Sequence, residues 1–436
     1  MGLAPYDDSM SPQSDGPTTL SPARTRFALL ALALGGFGIG STEFVAMGLL
    51  PNLAQDLLPR VYDASHADGI AQAGMLISAY ALGVVVGAPT IAAFAARWPR
   101  KQLLLSLLIV FTLGTIASAL APTFGLVLAA RFLAGLPHGA YFGIASLVAA
   151  SLMGPGKRGR GVAFVLSGLT IANVIGVPSI TWLGQHAGWR AAYLVVAAIF
   201  AVTFIAILVA VPFQAGNPRA TFRRELRAFS RLQVWFALAV GAIGFGGFFA
   251  VYSYIAPMVT DVAGLPEFAV PVTLVVVGLG MTVGNIVGGA MADRSVRRTM
   301  LLFFCVLIAA LTWVGFMAQF PVALWIGVFV IGGAAAAISP AIQTRLMDVA
   351  RDSQSIAAAL NHSALNIGNS LGAYLGGVVI AAGLGFRAPV WVAVLVSVLG
   401  LLLALTTFAI DRSRARRGWA EPPSTGAVPT VPVAAV

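Results

Sequence analysis

Twelve separate runs of predominantly apolar residues, each about 20 residues or longer, occupy most of this chain. Wound as an α-helix, about 20 residues span the ~30 Å hydrocarbon core of a bilayer. A helix also satisfies its own backbone hydrogen bonds, which lipid cannot do for it. The runs fall at 27–50, 71–96, 102–120, 124–151, 161–184, 191–211, 233–262, 268–292, 299–318, 322–346, 355–383 and 389–410. We number them spans 1 to 12. The expected fold class is an all-α membrane protein, with twelve transmembrane helices in two pseudo-symmetric six-helix bundles. Charged residues make up only 9% of the chain, against roughly a quarter in a soluble domain, so no single water-facing core accounts for its length.

Charge distribution orients these spans. If the N-terminus is cytoplasmic, 22 of the 26 lysines and arginines lie in cytoplasmic segments and three (Arg60, Arg190, Arg387) lie outside, with Arg131 inside span 4. That asymmetry follows the positive-inside rule and predicts a bacterial inner-membrane protein with both termini cytoplasmic. The net charge of +11 is thereby explained without nucleic acid, whose ligands gather basic residues on one soluble face. Residues 1–26 are rich in Ser, Pro and Asp and read as a disordered cytoplasmic tail, as do 411–436. Residues 213–232 carry five arginines and divide the bundles 27–212 and 233–410 as a basic linker. Cys305 is the single cysteine, so no internal disulfide exists.

Glycine repeats every three spans. Spans 3, 6, 9 and 12 hold one, none, one and one, while every other span holds three to five. Small residues let helices approach closely in lipid, where no hydrophobic drive pairs them. The glycine-poor spans are therefore expected at the lipid face. Span 2 (Gly83, Gly87), span 8 (Gly280, Gly284, Gly288), span 5 (Gly168, Ala172, Gly176) and span 11 (Gly368, Gly372, Gly376) present small-residue ridges at intervals of four. Nested three-helix repeats are a transporter architecture.

The loops repeat as well. After span 8 the chain reads Gly289-Ala-Met-Ala-Asp293-Arg294-Ser-Val-Arg297-Arg298, and after span 2 Ala92-Ala-Phe-Ala-Ala96-Arg97-Trp-Pro-Arg100-Lys101. These resemble the G-x-x-x-D-R-x-G-R-R gating loop of the major facilitator superfamily. The first copy departs from it at Ala96 and Pro99; in the second, Asp293 is expected to cap a neighbouring helix N-terminus. Three further segments carry the likeness: Ser41-Thr42-Glu43-Phe44 through Pro51, Arg131-Phe-Leu-Ala-Gly135-Leu-Pro137-His138-Gly139, and Gly168 through Gly176-Val177-Pro178. Together they resemble the twelve-span drug:proton antiporters, in the branch with arabinose- and nucleoside-efflux proteins and chloramphenicol exporters. The likeness covers nearly all of 27–410. It implies alternating access, and it makes Gly168, Gly176 and Pro178 packing residues of an antiporter segment.

Only one acid, Glu43, and one base, Arg131, lie deep within spans. An ionisable group there costs at least ~2–3 kcal/mol and is a functional candidate by default. Both sit seven residues from the outer end of their spans, about 10 Å deep at 1.5 Å per residue, so a pair between them is expected. Burial favours the neutral carboxyl and a nearby cation the ionised one. Glu43 is accordingly expected to carry the proton and Arg131 to tune it; a static structural ion pair is the alternative. His138, Tyr141, Asn173, Asn285, His362 and Asn366 are the remaining polar candidates for a substrate cavity.

No paired carboxylates, metal-ligand cluster or nucleophile with a base is visible, which argues against an enzyme, a metal site or an organic cofactor. The expected partners are protons, lipid and a small substrate, with one chain acting as a monomer. The expected function is proton-coupled efflux of small amphipathic molecules such as chloramphenicol. A sugar or nucleoside permease is the alternative.

Overall fold

The computed structural model describes residues 21–94, 97–154, 157–216, 231–350 and 354–416. Eleven helices are long and apolar enough to cross a membrane: Pro22–Gly48, His66–Ile91, Arg100–Leu120, Phe124–Met153, Arg160–Ala187, Trp189–Ala210, Leu232–Tyr252, Ala269–Met317, Pro321–Val349, Leu360–Leu384 and Ala388–Ser413. The eighth is 49 residues long and holds two spans. Ser295 interrupts it with extended backbone (φ −165°, ψ 99°) in the middle of the arginine-rich loop expected between spans 8 and 9. The twelve spans are therefore present.

Boundaries differ where capping decides them. Span 1 starts at Pro22, inside the expected 1–26 tail, because Ser21 accepts the Arg24 N–H and Pro22 opens the first turn. Span 12 runs on to Arg416, past the expected end at 410. Asp411 holds it there, accepting from Arg345 at 2.6 Å and Gln233 at 2.8 Å. Most of the linker and both chain ends fall outside the described residues.

The glycine ridges explain how the helices assemble. At Gly83 and Gly87 of span 2 a methyl group would overlap the backbone of Phe132 and Leu136 in span 4. At Gly280 and Gly284 of span 8 it would overlap that of Phe329 and Gly333 in span 10. Each residue of the second set is the first advanced by 197. Gly168 of span 5 lies against Ala33 of span 1, as Gly368 of span 11 lies against Ala242 of span 7. The duplication is thus visible at the level of individual close contacts. Spans 3, 6, 9 and 12 carry the exposed apolar residues expected of a lipid face, among them Leu113, Ile205, Phe316 and Leu395.

We call the end that carries residues 22, 216, 231 and 416 the terminal side, and the opposite end the far side. The halves join through spans 2 and 11 and through spans 5 and 8. Ser78 donates to the Ser370 carbonyl across the first seam at 3.2 Å. In the second, Gly278 lies on the backbone of Asn173 and Val174. Contacts between halves run from the far end down to the level of Phe142 and His362. Toward the terminal side, Gly143 and Gly289 border open space. The described contacts between the halves thus lie on the far side and at mid-depth.

Candidate functional site

Two helix irregularities place the site. Span 4 breaks at Leu136–Pro137 because proline has no N–H to continue the ladder, and a second helix starts at His138. Span 5 widens to a π-turn over Ala172–Gly176, directly before Pro178. Proline at 178 cannot donate to the carbonyl four residues back, and the local register shifts instead. Gly176 and Gly168, expected as packing residues, let span 1 approach: Gly176 faces Phe37 and Ser41, just before Glu43.

Glu43 is 5% exposed. Its Oε1 accepts from Asn369 Nδ2 of span 11 at 3.3 Å, and its Oε2 lies 3.9 Å from His138 Nδ1. One carboxyl therefore touches both halves. The same His138 nitrogen lies 3.2 Å from the Tyr80 hydroxyl. His362 of span 11 stacks on Phe142 with centroids 5.1 Å apart and lies 5.7 Å from the His138 ring. On the far side of Glu43, Phe44 packs against Phe249 and Tyr252 of span 7.

The expected pairing of Glu43 with Arg131 is corrected: the two form no direct ion pair. Arg131 instead donates Nη1 to the Thr42 carbonyl at 2.9 Å and to the Thr42 hydroxyl at 3.3 Å. Its guanidinium lies 4.3 Å over the Tyr80 ring and 5.5 Å from that of Tyr193. The carbonyl of Thr42 outcompetes the neighbouring carboxylate because Glu43 points across the interface while Arg131 stays inside its own half. Arg131 Nε and Nη2 have no hydrogen-bond partner, so the cation remains available beside the carboxyl.

Of the other candidates, His138, His362 and Asn366 join the cluster. Asn366 donates to the His362 carbonyl of its own helix, leaving Oδ1 without a partner. Asn173 is buried in the π-turn, also with a free Oδ1. Tyr141 lies elsewhere. Its hydroxyl donates to the Leu32 carbonyl at 3.0 Å, over Gly35, within the first half; a fully buried phenol needs such a partner, and a main-chain oxygen supplied it. Asn285 is exposed in span 8, two turns from Gly278 on the same face and apart from Glu43. Asn369 and Tyr80 were missed as site residues. Asn369 was visible only as one of several polar groups in lipid, and nothing in the sequence pairs it with Glu43.

The loop residues sit on the terminal side. Arg100 N–H donates to the Gln214 carbonyl and Lys101 to Leu208, both within the first half. Gly216 lies on the Arg97 and Trp98 carbonyls, so the start of the linker docks on this loop. Arg294 donates to Ala290, Arg297 lies over Phe408, and Arg298 N–H caps onto Ser295. Asp293 is exposed. Among the described residues no cluster of metal-ligating side chains occurs.

The model of the Major Facilitator Superfamily matches residues 32–310 and 273–434. The chain is 39% identical over 380 residues to the inner membrane transport protein YdhP of Escherichia coli K12, covering 87% of this chain and 95% of that one. It is 32% identical to a chloramphenicol resistance protein of Streptomyces lividans, covering 86% and 95%. Its fold matches that of a bacterial homologue of the lysosomal transporter Spinster, solved inward-facing and unoccupied, with a TM-score of 0.70 at 18% identity over 93% of this chain and all of the other. YdhP and the Spinster homologue are named as transporters, and the chain has the twelve-helix membrane fold of the latter. With the family model, the duplicated bundle and these relatives in agreement, this chain belongs to the major facilitator superfamily and is a secondary transporter of the membrane.

Proposed function

We propose that this transporter exports small, neutral or weakly polar amphipathic molecules in exchange for protons, with Glu43 as the proton-carrying group. One observation carries the reading: the only acid deep in the spans touches both halves at their contact, through Asn369 on one side and beside His138 on the other. Gaining or losing a proton changes the charge at that interface, so the equilibrium between open and closed halves shifts with it. Arg131, anchored on Thr42, supplies the fixed positive charge beside the carboxyl. The 22-to-3 distribution of basic residues supports a cytoplasmic terminal side. The loop arginines hold the cytoplasmic ends of each half. The proton gradient is the energy source, one chain supplies both halves, and no cofactor is required.

The likeness to a chloramphenicol resistance protein supports a drug-like substrate. A sugar or nucleoside permease is the second reading. It is favoured by the unpartnered side-chain oxygens of Asn173, Asn361 and Asn366, which suit hydroxyl donors.

Everted vesicles energised by respiration, with a fluorescent pH probe and a panel of drugs and sugars, decide between them. A substrate that releases protons in the wild type and none in Glu43→Gln supports antiport and identifies the class. Substrate-driven proton movement that survives Glu43→Gln would demote Glu43 to a structural role. Saturable flux down a gradient without proton movement would favour the permease.

A further inference from the structure

On the far side, a vestibule of about 320 Å³ opens between the halves. The first half lines it with Asn52, Tyr62, His66 and Gln185, and the second with Thr260, Asp261 and Glu267. Two polar contacts cross it: His66 Nε2 pairs with Asp261 Oδ1 at 3.3 Å, and Gln185 donates to the Glu267 carbonyl at 3.1 Å. His66 opens span 2 and is fixed in orientation by ring contacts with Tyr62 at 4.7 Å and with Phe386 of the second half at 5.9 Å. Asp261 lies in a π-turn at the end of span 7, and Thr260 donates to its other oxygen.

We propose that the His66–Asp261 pair is a proton-operated latch that favours far-side closure when the outside is acidic. The inference rests on alternating access, with the far side facing outward. Imidazole is the side chain whose charge ordinarily changes between pH 5 and 8, so protonation turns this contact into an ion pair across the seam. Several charged and titratable groups surround His66. Asp261 and Glu267 face it from the second half, Asp63 and Tyr62 from the preceding helix, and Asp68 from its own first turn. Burial and the charges of Asp261, Glu267 and Asp63 push the Tyr62 phenol above its ordinary value, as expected of an acidic enclosure. Of the far-side arginines, Arg190 is committed to Asp56 and Arg387 to Gln319 at 2.6 Å, while Arg60, on the helix that carries Tyr62 and Asp63, is exposed. In an antiport cycle, a second external proton, bound to His66, would close the door behind the one that loads the centre, since a proton on His66 stabilises the state in which the far side is shut.

Half-exposed pairs of this kind are weak, and a shift of about 1.5- to 5-fold in the open-to-closed ratio is expected. Spin labels at Gln55→Cys and Phe268→Cys, one in each half, in a Cys305→Ser, Glu43→Gln background, measure that ratio by pulsed dipolar spectroscopy in nanodiscs. Removing Glu43 means that an error about the central proton site does not affect the result. Between about pH 5.5 and 8.5, the long-distance population should grow by that factor, and Asp261→Asn or His66→Gln should abolish the growth. An equal pH response in Asp261→Asn, or none with the latch intact, overturns the proposal.

Discussion

Asn369→Ala tests whether the Glu43 contact holds the halves together. The bond from Nδ2 to Glu43 Oε1 is 3.3 Å long, beyond the ~2.9–3.0 Å typical of N–H···O bonds. Its net worth therefore belongs in the lower part of the usual range, about 0.5–1 kcal/mol. It joins the two halves in this structure, so its loss should shift the equilibrium toward their separation on the far side by about 2- to 5-fold. Ser370, the next residue, supplies an internal control. It reaches Ser78 through its main-chain carbonyl, so Ser370→Ala leaves that bond in place, whereas Ser78→Ala removes it. Distance distributions across the far side, measured for all three variants in one background, give the answer. Asn369→Ala and Ser78→Ala should both shift toward open, and Ser370→Ala should not. A shift in Ser370→Ala as large as in Asn369→Ala, or no shift in Asn369→Ala, would refute the view that this bond ties the halves.

Two further predictions concern packing and pH. Gly284→Ala drives a methyl into the Gly333 backbone, which cannot yield as a flexible side chain does; about 1–3 kcal/mol of destabilisation is expected. Gly289→Ala, with open space around it, should leave thermal denaturation in detergent within about 0.5 kcal/mol of wild type. At the far-side surface, burial raises the Asp56 acid but bonds from Arg190 and Trp189 outweigh it, leaving it below its ordinary value. A depressed acid contributes stability above the ordinary carboxylate range and loses it as the pH falls through its folded value. Asp56→Asn should therefore cost about 0.5–1 kcal/mol near neutrality, discounted for exposure. The difference from wild type should disappear on acidification below about pH 4, as read by melting curves across pH.

Span number, the duplication and the two buried charges were all legible in the sequence, because each is written in composition along one helix. An acid in an apolar run stands out whatever surrounds it, and so does a glycine every fourth residue. The partners of those charges were not legible. Glu43 and Arg131 share a depth, and depth alone suggested a pair, but the direction in which each side chain leaves its helix decided otherwise. Tyr141 was expected in the cavity as a polar residue of span 4, but its hydroxyl went to the Leu32 carbonyl inside the first half. Asn369 could not be singled out, since its contact is made across two halves that join only in one conformation.

The two halves share a scaffold but not its charges. Shifting span 4 by the 197 residues that superpose its glycine contacts on those of span 10 places Val328 where Arg131 stands and Ala335 where His138 stands. The same shift from span 2 to span 8 puts Val277 in place of Tyr80. Advancing span 1 by the 209 residues that carry Ala33 onto Ala242 puts Tyr252 in place of Glu43. The second half thus repeats the packing and omits the acid, the cation and the histidine on span 4. What it adds is Asn369, Asn366 and His362, all on span 11. Under the proposed antiport, a proton arriving at Glu43 changes the charge of one half against a partner that has no acid at the matching position. A symmetric pair of acids would leave two protonation sites in competition across the seam. Under the proposed antiport, a single acid read by the Asn369 amide gives each proton one structural consequence.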